Sequence, residues 1–331
     1  MGSISDVPGI RVGHVQRDSG GWLTGVTVVL PPPDTVGSVD VQGGGPATHE
    51  TDALDPTTLV STVDAIVLTG GSAYGLASAA GAQRWCEENG RGFSVPGGVV
   101  PIVPAAAIFD LGRGGDFTAR PTPEMGYAAT AAAAAQKEGH DVGRGNVGAG
   151  TGAVIARTYK GGVGSAAVAL ENGVIVGALA VVNALGLPFG TTPQLAEPGS
   201  VRLSDEGAST PRASAGGAEA SQGTPLNTTL VVVATNAVLD VAECKRTASA
   251  SHAGIARALN PSHTLADGDT VFCLATGAMA LNRSDEAARQ LSLITLQSAA
   301  AYVVRSAILD GVASAKGVST PAGEYGAYRT A

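Results

Sequence analysis

The run Thr228 to Asn236, TTLVVVATN, constrains the fold of this chain more than any other segment. It is rich in β-branched residues and carries no charge, so it reads as a strand buried on both faces, and such a strand needs a covering layer on either side. The stretch before it is its opposite: from Thr191 to Leu226 the chain is Ser, Thr, Pro, Gly, Ala and scattered charge, with neither a helical nor a strand period. An irregular segment of this length is a functional or disordered loop. We therefore expect a flexible loop over 191–226 that ends sharply at Asn227.

The remaining punctuation predicts short strands and a few long helices. GVTVVLPPP at 25–33 and DAIVLTGG at 64–71 read as strands bounded by Gly and Pro. A helix is expected over 72–89, with Leu76, Ala80 and Trp85 on its apolar face and Gly90 as a left-handed stop, and another over 128–137 ending at Gly139. Asn172-Gly173 between two apolar runs predicts a buried hairpin with a two-residue turn. Asp240 to Leu259 reads as a helix with Val241, Cys244, Ala248, Ile255 and Leu259 on one face. TVFCLATG at 270–277 reads as a second buried strand, and Ser284 as the cap of a long helix reaching about Ala315. Hairpin-type connections without regular βαβ alternation argue for packed sheets covered by helices, an α+β arrangement.

Composition excludes several functions. At 331 residues the chain can bury a core without disulfides or metals. A net charge of -8 with no basic run argues against nucleic acid. Apolar runs are interrupted at Pro101 and Pro104 or end at Asn183, short of the roughly 18 residues of a membrane span, so a soluble protein is expected. The start MGSISD lacks a charged segment followed by an apolar one, and Asp6 breaks the myristoylation pattern. Cys86, Cys244 and Cys273, odd in number and widely spaced, fit reduced buried thiols in a cytoplasmic protein.

Familiar site motifs fail one by one. GRGNVG at 143–148 matches GxGxxG but follows the polar EGHDV instead of a strand. GGSAYG at 70–75 carries Tyr74 where a nucleophile elbow needs its second Gly, so Ser72 reads as a helix cap. His14, His49, His140, His252 and His263 show no metal spacing and read as surface or turn residues. No cofactor and no metal are expected.

The junction at Asn227-Thr228 is more informative. A hydroxyl residue heading a buried strand just after an irregular segment is where an N-terminal nucleophile would be made by cleavage. The unperturbed α-amino pKa is about 7.7 to 8, so a new amine there can act as base toward its own hydroxyl. Local sequence alone weighs toward a plainer role, Thr228 as a β-former at a strand start.

Several motifs together shift that balance. GAGTGA at 148–153, YKGGVGSA at 159–166, VVNALG at 181–186, NTTLVVVATN at 227–236 and ADGDTVF at 266–272 resemble the DmpA-type family of self-processing N-terminal-nucleophile amidohydrolases. That family includes L-aminopeptidase/D-esterases, β-peptidyl aminopeptidases and 6-aminohexanoate-oligomer (nylon oligomer) endohydrolases. The likeness runs from VPGIRVGH at 7–14 to the final helix, and the Asn-Thr-Thr junction with its Asp-Gly-Asp is most similar to the nylon-oligomer branch.

The resemblance implies a four-layer αββα sandwich over 1–331, cut into 1–227 and 228–331, which stay associated. Thr228 would be nucleophile and, through its amine, base. Asn183 would donate to a tetrahedral oxyanion. Lys160 would supply a cation, with Arg157 competing for that place. Asp267 and Asp269 would form an acidic pair that orients the nucleophile; read alone, Asp-Gly-Asp is also a turn before a strand. Phe109 stands where relatives commonly carry a Tyr, and Phe cannot donate. The expected substrate is a short peptide or amide oligomer, and the expected assembly a homo-oligomer, a tetramer or larger, of processed chains. An exo-acting aminopeptidase, an acyltransferase and an unprocessed binding protein remain as alternatives.

Overall fold

The doubly buried run is a strand over Thr228–Ala237 in which all ten residues are buried. The structure is a computed structural model that describes residues 2–189 and 227–328; the loop expected at 191–226 lies outside the described residues. Ten strands build two large sheets: β1 Arg11–Arg17, β2 Thr24–Leu30, β3 Val36–Val41, β4 Thr48–His49, β5 Ile66–Thr69, β6 Ala105–Ala107, β7 Val163–Ala169, β8 Ile175–Asn183, β9 Thr228–Ala237 and β10 Thr270–Met279. Four longer helices cover them: α1 Ser78–Glu88, α2 Pro123–Ala134, α3 Val241–Ala258 and α4 Glu286–Ser314.

The first sheet runs β1-β2-β5-β6-β4 and the second β7-β8-β9-β10-β3, with β9 at its centre. β9 lies antiparallel to β8 and parallel to β10. Its alternation serves both faces. Leu230, Val232 and Ala234 join Ile66, Leu68, Leu179 and Phe272 in a core between the sheets, while Val231 and Val233 pack with Cys244, Ile255, Val303 and Ile308 beneath α3 and α4. Each such aliphatic side chain contributes about 1.5 to 3 kcal/mol by leaving water. On the far side Val26, Val28 and Val67 pack against Ala82 and Ala129 of α1 and α2. The layers are therefore helices, sheet, sheet, helices: the four-layer αββα sandwich that the resemblance implied.

Several local expectations need correction. The helix expected from 72 is a short turn at Ser72–Gly75 followed by α1. Its buried face is Ser78, Ala79, Ala82 and Cys86, and Ala80 is exposed. The reason is close approach: a Cβ at Gly81 would lie 1.7 Å from the Pro123 carbonyl oxygen, and one at Gly126 would lie 1.9 Å from that of Ser78. Small residues, and not the large ones, mark the contact with α2. Gly71, not Ser72, holds the cap position. Asp285, not Ser284, caps α4, its carboxylate accepting the Ala288 N–H at 2.8 Å.

The Asn172-Gly173 hairpin joins β7 to β8, but its loop has three residues: Leu170 N–H reaches the Val174 carbonyl, and Gly173 supplies the left-handed position with φ +81°. All three cysteines are free and buried. α4 corrects the reading of apolar runs, since it is long and apolar enough to cross a membrane by length and composition. In this fold Leu296, Ala300, Val303, Val304, Ala307 and Ile308 bury one side of it in the core beneath the second sheet.

Candidate active site

The pairing of β8 with β9 sets Asn183, the last residue of one, opposite Thr228, the first of the other. Side chains alternate along a strand, and Leu179, Val181, Leu230 and Val232 point between the sheets. Asn183 and Thr228 therefore point there too. Both are buried.

On the other side of β9, the parallel partner β10 carries the turn Asp267–Gly268–Asp269 up against the junction. Asn227 bridges Asp267 in parallel register, the Asn227 N–H reaches the Ala266 carbonyl at 3.0 Å, and the Gly268 N–H donates to the Asn227 carbonyl at 2.8 Å. The Thr228 hydroxyl also donates to that carbonyl. Asn227 is thus held at both its own N–H and its C=O, and the C=O of the Asn227–Thr228 peptide has a hydroxyl against its oxygen. A Cβ at Gly268 would lie 2.7 Å from Thr228 Oγ1, which is why this turn needs glycine.

The two carboxylates hold main chain. Asp267 Oδ2 accepts the Thr264 N–H at 2.6 Å, and Asp269 Oδ1 accepts the Thr229 N–H at 2.6 Å. Burial raises the Asp267 carboxyl above its ordinary range, against the pull of the Thr264 donors. Asp267 and Asp269 are both buried.

Asn183 is oriented from behind. Its Oδ1 accepts from Arg113 Nη1 at 2.5 Å and from the Val154 N–H at 3.1 Å, which leaves Nδ2 as a buried donor with no hydrogen-bond partner among the described residues. Arg113 Nη1 also reaches the Gly152 carbonyl. Lys160 is fully buried, its Nζ donating to the carbonyls of Thr151 at 2.9 Å, Ala153 at 2.5 Å and Gly150 at 3.4 Å. Its hydrogen bonds bring it to the loop that holds Asn183 through Val154, and not to Thr228 itself. Burial first, then the charge of Arg113, lowers Lys160 from 10.5 to about 7, with Asp110 opposing. Burial also raises Asp110, whose Oδ1 accepts the Gly71 N–H at 2.6 Å. Arg157 is exposed, so of the two cations only Lys160 is enclosed. Phe109 is half-buried beside Asp110.

Sequence reasoning missed Arg113, Asp110 and His263. GRGGD at 112–116 reads as a turn, and nothing in its spacing points to Asn183 70 positions later. His252 departs from the surface-or-turn reading, while His263 does sit in a turn and His49 is exposed. His252 is buried on α3, His14 is half-buried beside Thr27 and lowered by desolvation to about 4, and His263 lies 2.8 Å from Asp269 Oδ2. Among the described residues no group of His, Cys, Asp and Glu could hold a metal ion.

The four-layer αββα sandwich defines the class, an N-terminal-nucleophile-type hydrolase fold. Solved structures agree on the fold. An L-aminopeptidase D-Ala-esterase/amidase from Ochrobactrum anthropi, described as a variant of that fold, matches with TM-score 0.70 and 21% identity over 99% of this chain and 91% of its own. A protein from Pyrococcus horikoshii OT3 matches with TM-score 0.71 and 23% identity over the same shares. The model of peptidase family S58 matches residues 2–325, and the chain belongs to that family. An uncharacterized aminopeptidase of Mycobacterium tuberculosis is 49% identical over 96% of both chains, and one of Mycobacterium leprae is 52% identical over 84% of this chain and 80% of its own. This chain is a hydrolase of peptide bonds of the aminopeptidase-like S58 kind.

Proposed function

We propose that the chain cuts itself between Asn227 and Thr228 and then hydrolyses amide bonds with Thr228 as an N-terminal nucleophile. The observation that carries this is the Thr228 hydroxyl lying against a carbonyl already polarised by the Gly268 N–H. In the first step Oγ1 attacks the Asn227 carbonyl carbon, the C–N bond breaks as nitrogen takes the hydroxyl proton, and an ester remains. Water cleaves the ester, leaving the Asn227 carboxylate and a free Thr228 amine. In turnover that amine takes the hydroxyl proton, the substrate acyl group forms an ester on Oγ1, the amine product leaves, and water releases the acid. The unpaired Asn183 Nδ2 suits a developing oxyanion.

Short peptides or ω-amino-acid oligomers of the nylon type are the proposed substrates, supported by the Asn-Thr-Thr junction and the Asp-Gly-Asp beside it. The aminopeptidase names of the mycobacterial relatives favour a second reading, exo cleavage that needs a free substrate amine. Comparing a peptide with its N-acetylated form separates the two. A denaturing gel, intact mass and N-terminal sequencing test the core proposal. Scaling 32.6 kDa by chain length gives fragments of about 22 and about 10 kDa, the smaller beginning TTLVVV. Thr228→Ala should stay a single folded, inactive chain; a processed or active Thr228→Ala protein refutes the proposal.

A further inference from the structure

The proposed chemistry leaves one buried cluster unused. Asp269, whose Oδ1 holds the Thr229 N–H, gives its other oxygen entirely to His263: the main-chain N–H reaches Oδ2 at 3.0 Å and Nδ1 lies 2.8 Å from the same atom. Residue 263 has φ +56°, and this left-handed turn brings its own N–H and its own ring onto one carboxylate oxygen. Behind it stands His252 of α3, edge-on with ring centroids 4.8 Å apart and planes at 68°. His252 Nε2 in turn lies 3.1 Å from the Asp40 carbonyl and 3.7 Å from Asp40 Oδ2 on β3. The cluster therefore ties α3 and β3 to the backbone one residue past the nucleophile.

We propose that His263 is a positioning residue: its imidazolium holds the Asp269 carboxylate on the Thr229 N–H and so fixes the start of β9 for attack by Thr228. The proposal rests on Thr228 being the nucleophile. A charge-assisted pair is shorter and stronger than a neutral one, and here it fixes which way a buried carboxylate faces.

The titratable groups facing the pair are few. Asp269 and Asp267 come from the turn before β10, Asp40 from β3, and the two imidazoles face each other. For His263 burial disfavours the charged form, but the hydrogen bond and charge of Asp269, aided by Asp267, outweigh it and leave the ring above its ordinary value. Burial, with the charge of His263, keeps His252 below its ordinary value in spite of Asp40. The two rings thus divide the roles of charged pair member and neutral support. The His263 side chain is 20% exposed, but both of its ring nitrogens are buried, so the proton on Nδ1 is held inside the cluster. Raising the pH neutralises His263 and weakens its hold on Asp269, with a greater effect on kcat than on KM.

The test has two arms on the full chain. In the first, kcat and KM for an aminoacyl p-nitroanilide are followed from pH 5 to 10 for self-processed wild type, His263→Gln and His263→Ala. His263→Ala should lower kcat at least tenfold near pH 6.5 with KM within twofold. His263→Gln, which keeps a donor but cannot titrate, should recover most of that loss and lack the alkaline limb. Profiles that superimpose on wild type overturn the proposal. In the second arm, the uncleaved Thr228→Ala chain, labelled at histidine and threonine, is titrated by NMR, where turnover plays no part. The Thr229 amide shift should follow the His263 ring with one shared midpoint, and that midpoint should vanish in the Thr228→Ala/His263→Gln chain. A Thr229 amide that ignores His263 overturns the coupling itself. If Thr228 is not the nucleophile, Thr228→Ala will process or turn over while this NMR coupling persists, so the two failures are distinct.

Discussion

The strand that starts at Thr228 has two flanks of opposite charge. Toward β8, Asn183 is backed by Arg113 and approached through its loop by Lys160. Toward β10 lie Asp267, Asp269 and His263. The cationic flank presents an amide donor with its oxygen already occupied, suited to a carbonyl oxygen that gains charge. The acidic flank spends its carboxylates on backbone N–H groups, suited to fixing where the chain runs. The difference separates two tasks: the first flank should matter to turnover far more than to self-cleavage, whereas the second, by fixing where Thr228 sits, should matter to both.

The sharpest way to break that division is Asn183→Ala. Losing one oxyanion donor costs about 10²- to 10³-fold in turnover, roughly 3 kcal/mol, while the Gly268 N–H still polarises the Asn227 carbonyl. Expected are normal fragments on a gel and a kcat reduced by that factor. Equal damage to processing and turnover would erase the distinction between the flanks.

Gly268→Ala probes the other flank. The added methyl would sit 2.7 Å from Thr228 Oγ1 and 3.1 Å from the Gly45 carbonyl oxygen. Overpacking of this kind costs about 1 to 3 kcal/mol, which corresponds to processing slowed roughly tenfold to hundredfold if the strain falls on the attacking geometry. A time course of fragment appearance measures it. Processing at the wild-type rate would show that the hydroxyl does not need its observed place.

Arg113→Met should act through Asn183. It leaves the Asn183 oxygen with only the Val154 N–H, so the amide can flip and lose its aim. About tenfold in kcat is expected, from the loss of a charged hydrogen bond worth about 1.5 to 3 kcal/mol in part. The same substitution in Asn183→Ala should then add little, a non-additivity that a double-mutant cycle detects.

Legibility in the sequence follows the same division. Strand β9 and its abrupt start are readable because β-branched density changes within two residues of Asn227, and α3 because of its apolar spacing, with Asp240 proving to be its cap. Asn183, Lys160 and the two aspartates came through resemblance, since each sits alone in a segment whose own pattern says only strand or turn. Arg113 and His263 were hidden for a stronger reason. Their partners lie 70 and 6 residues away across turns, and turn composition says where a chain bends without saying what its side chains reach. The face of α1 departs from its apolar pattern because Gly81 and Gly126 let the helices touch, so small residues take the place that large ones usually hold.

The last expected effect is on stability, not turnover, and concerns the buried Lys160. Unfolded, the amine titrates near its ordinary 10.5; folded, burial and Arg113 bring it to about 7. Between those values the unfolded chain binds a proton that the folded chain does not, so stability must rise with pH across this window, by up to about 1.4 kcal/mol per unit. Below pH 7 both states carry the proton, and the folded chain bears the full cost of a buried charge. In the Thr228→Ala background, denaturant unfolding at pH 7 and pH 9 should therefore show a steeper rise than in the same chain with Lys160→Met, by about 2 kcal/mol over the interval. Comparing the two chains cancels the other groups that titrate there. Equal slopes would mean that Lys160 stays charged in the fold, making the cationic flank a permanent field on Asn183 rather than one that weakens as the pH passes 7.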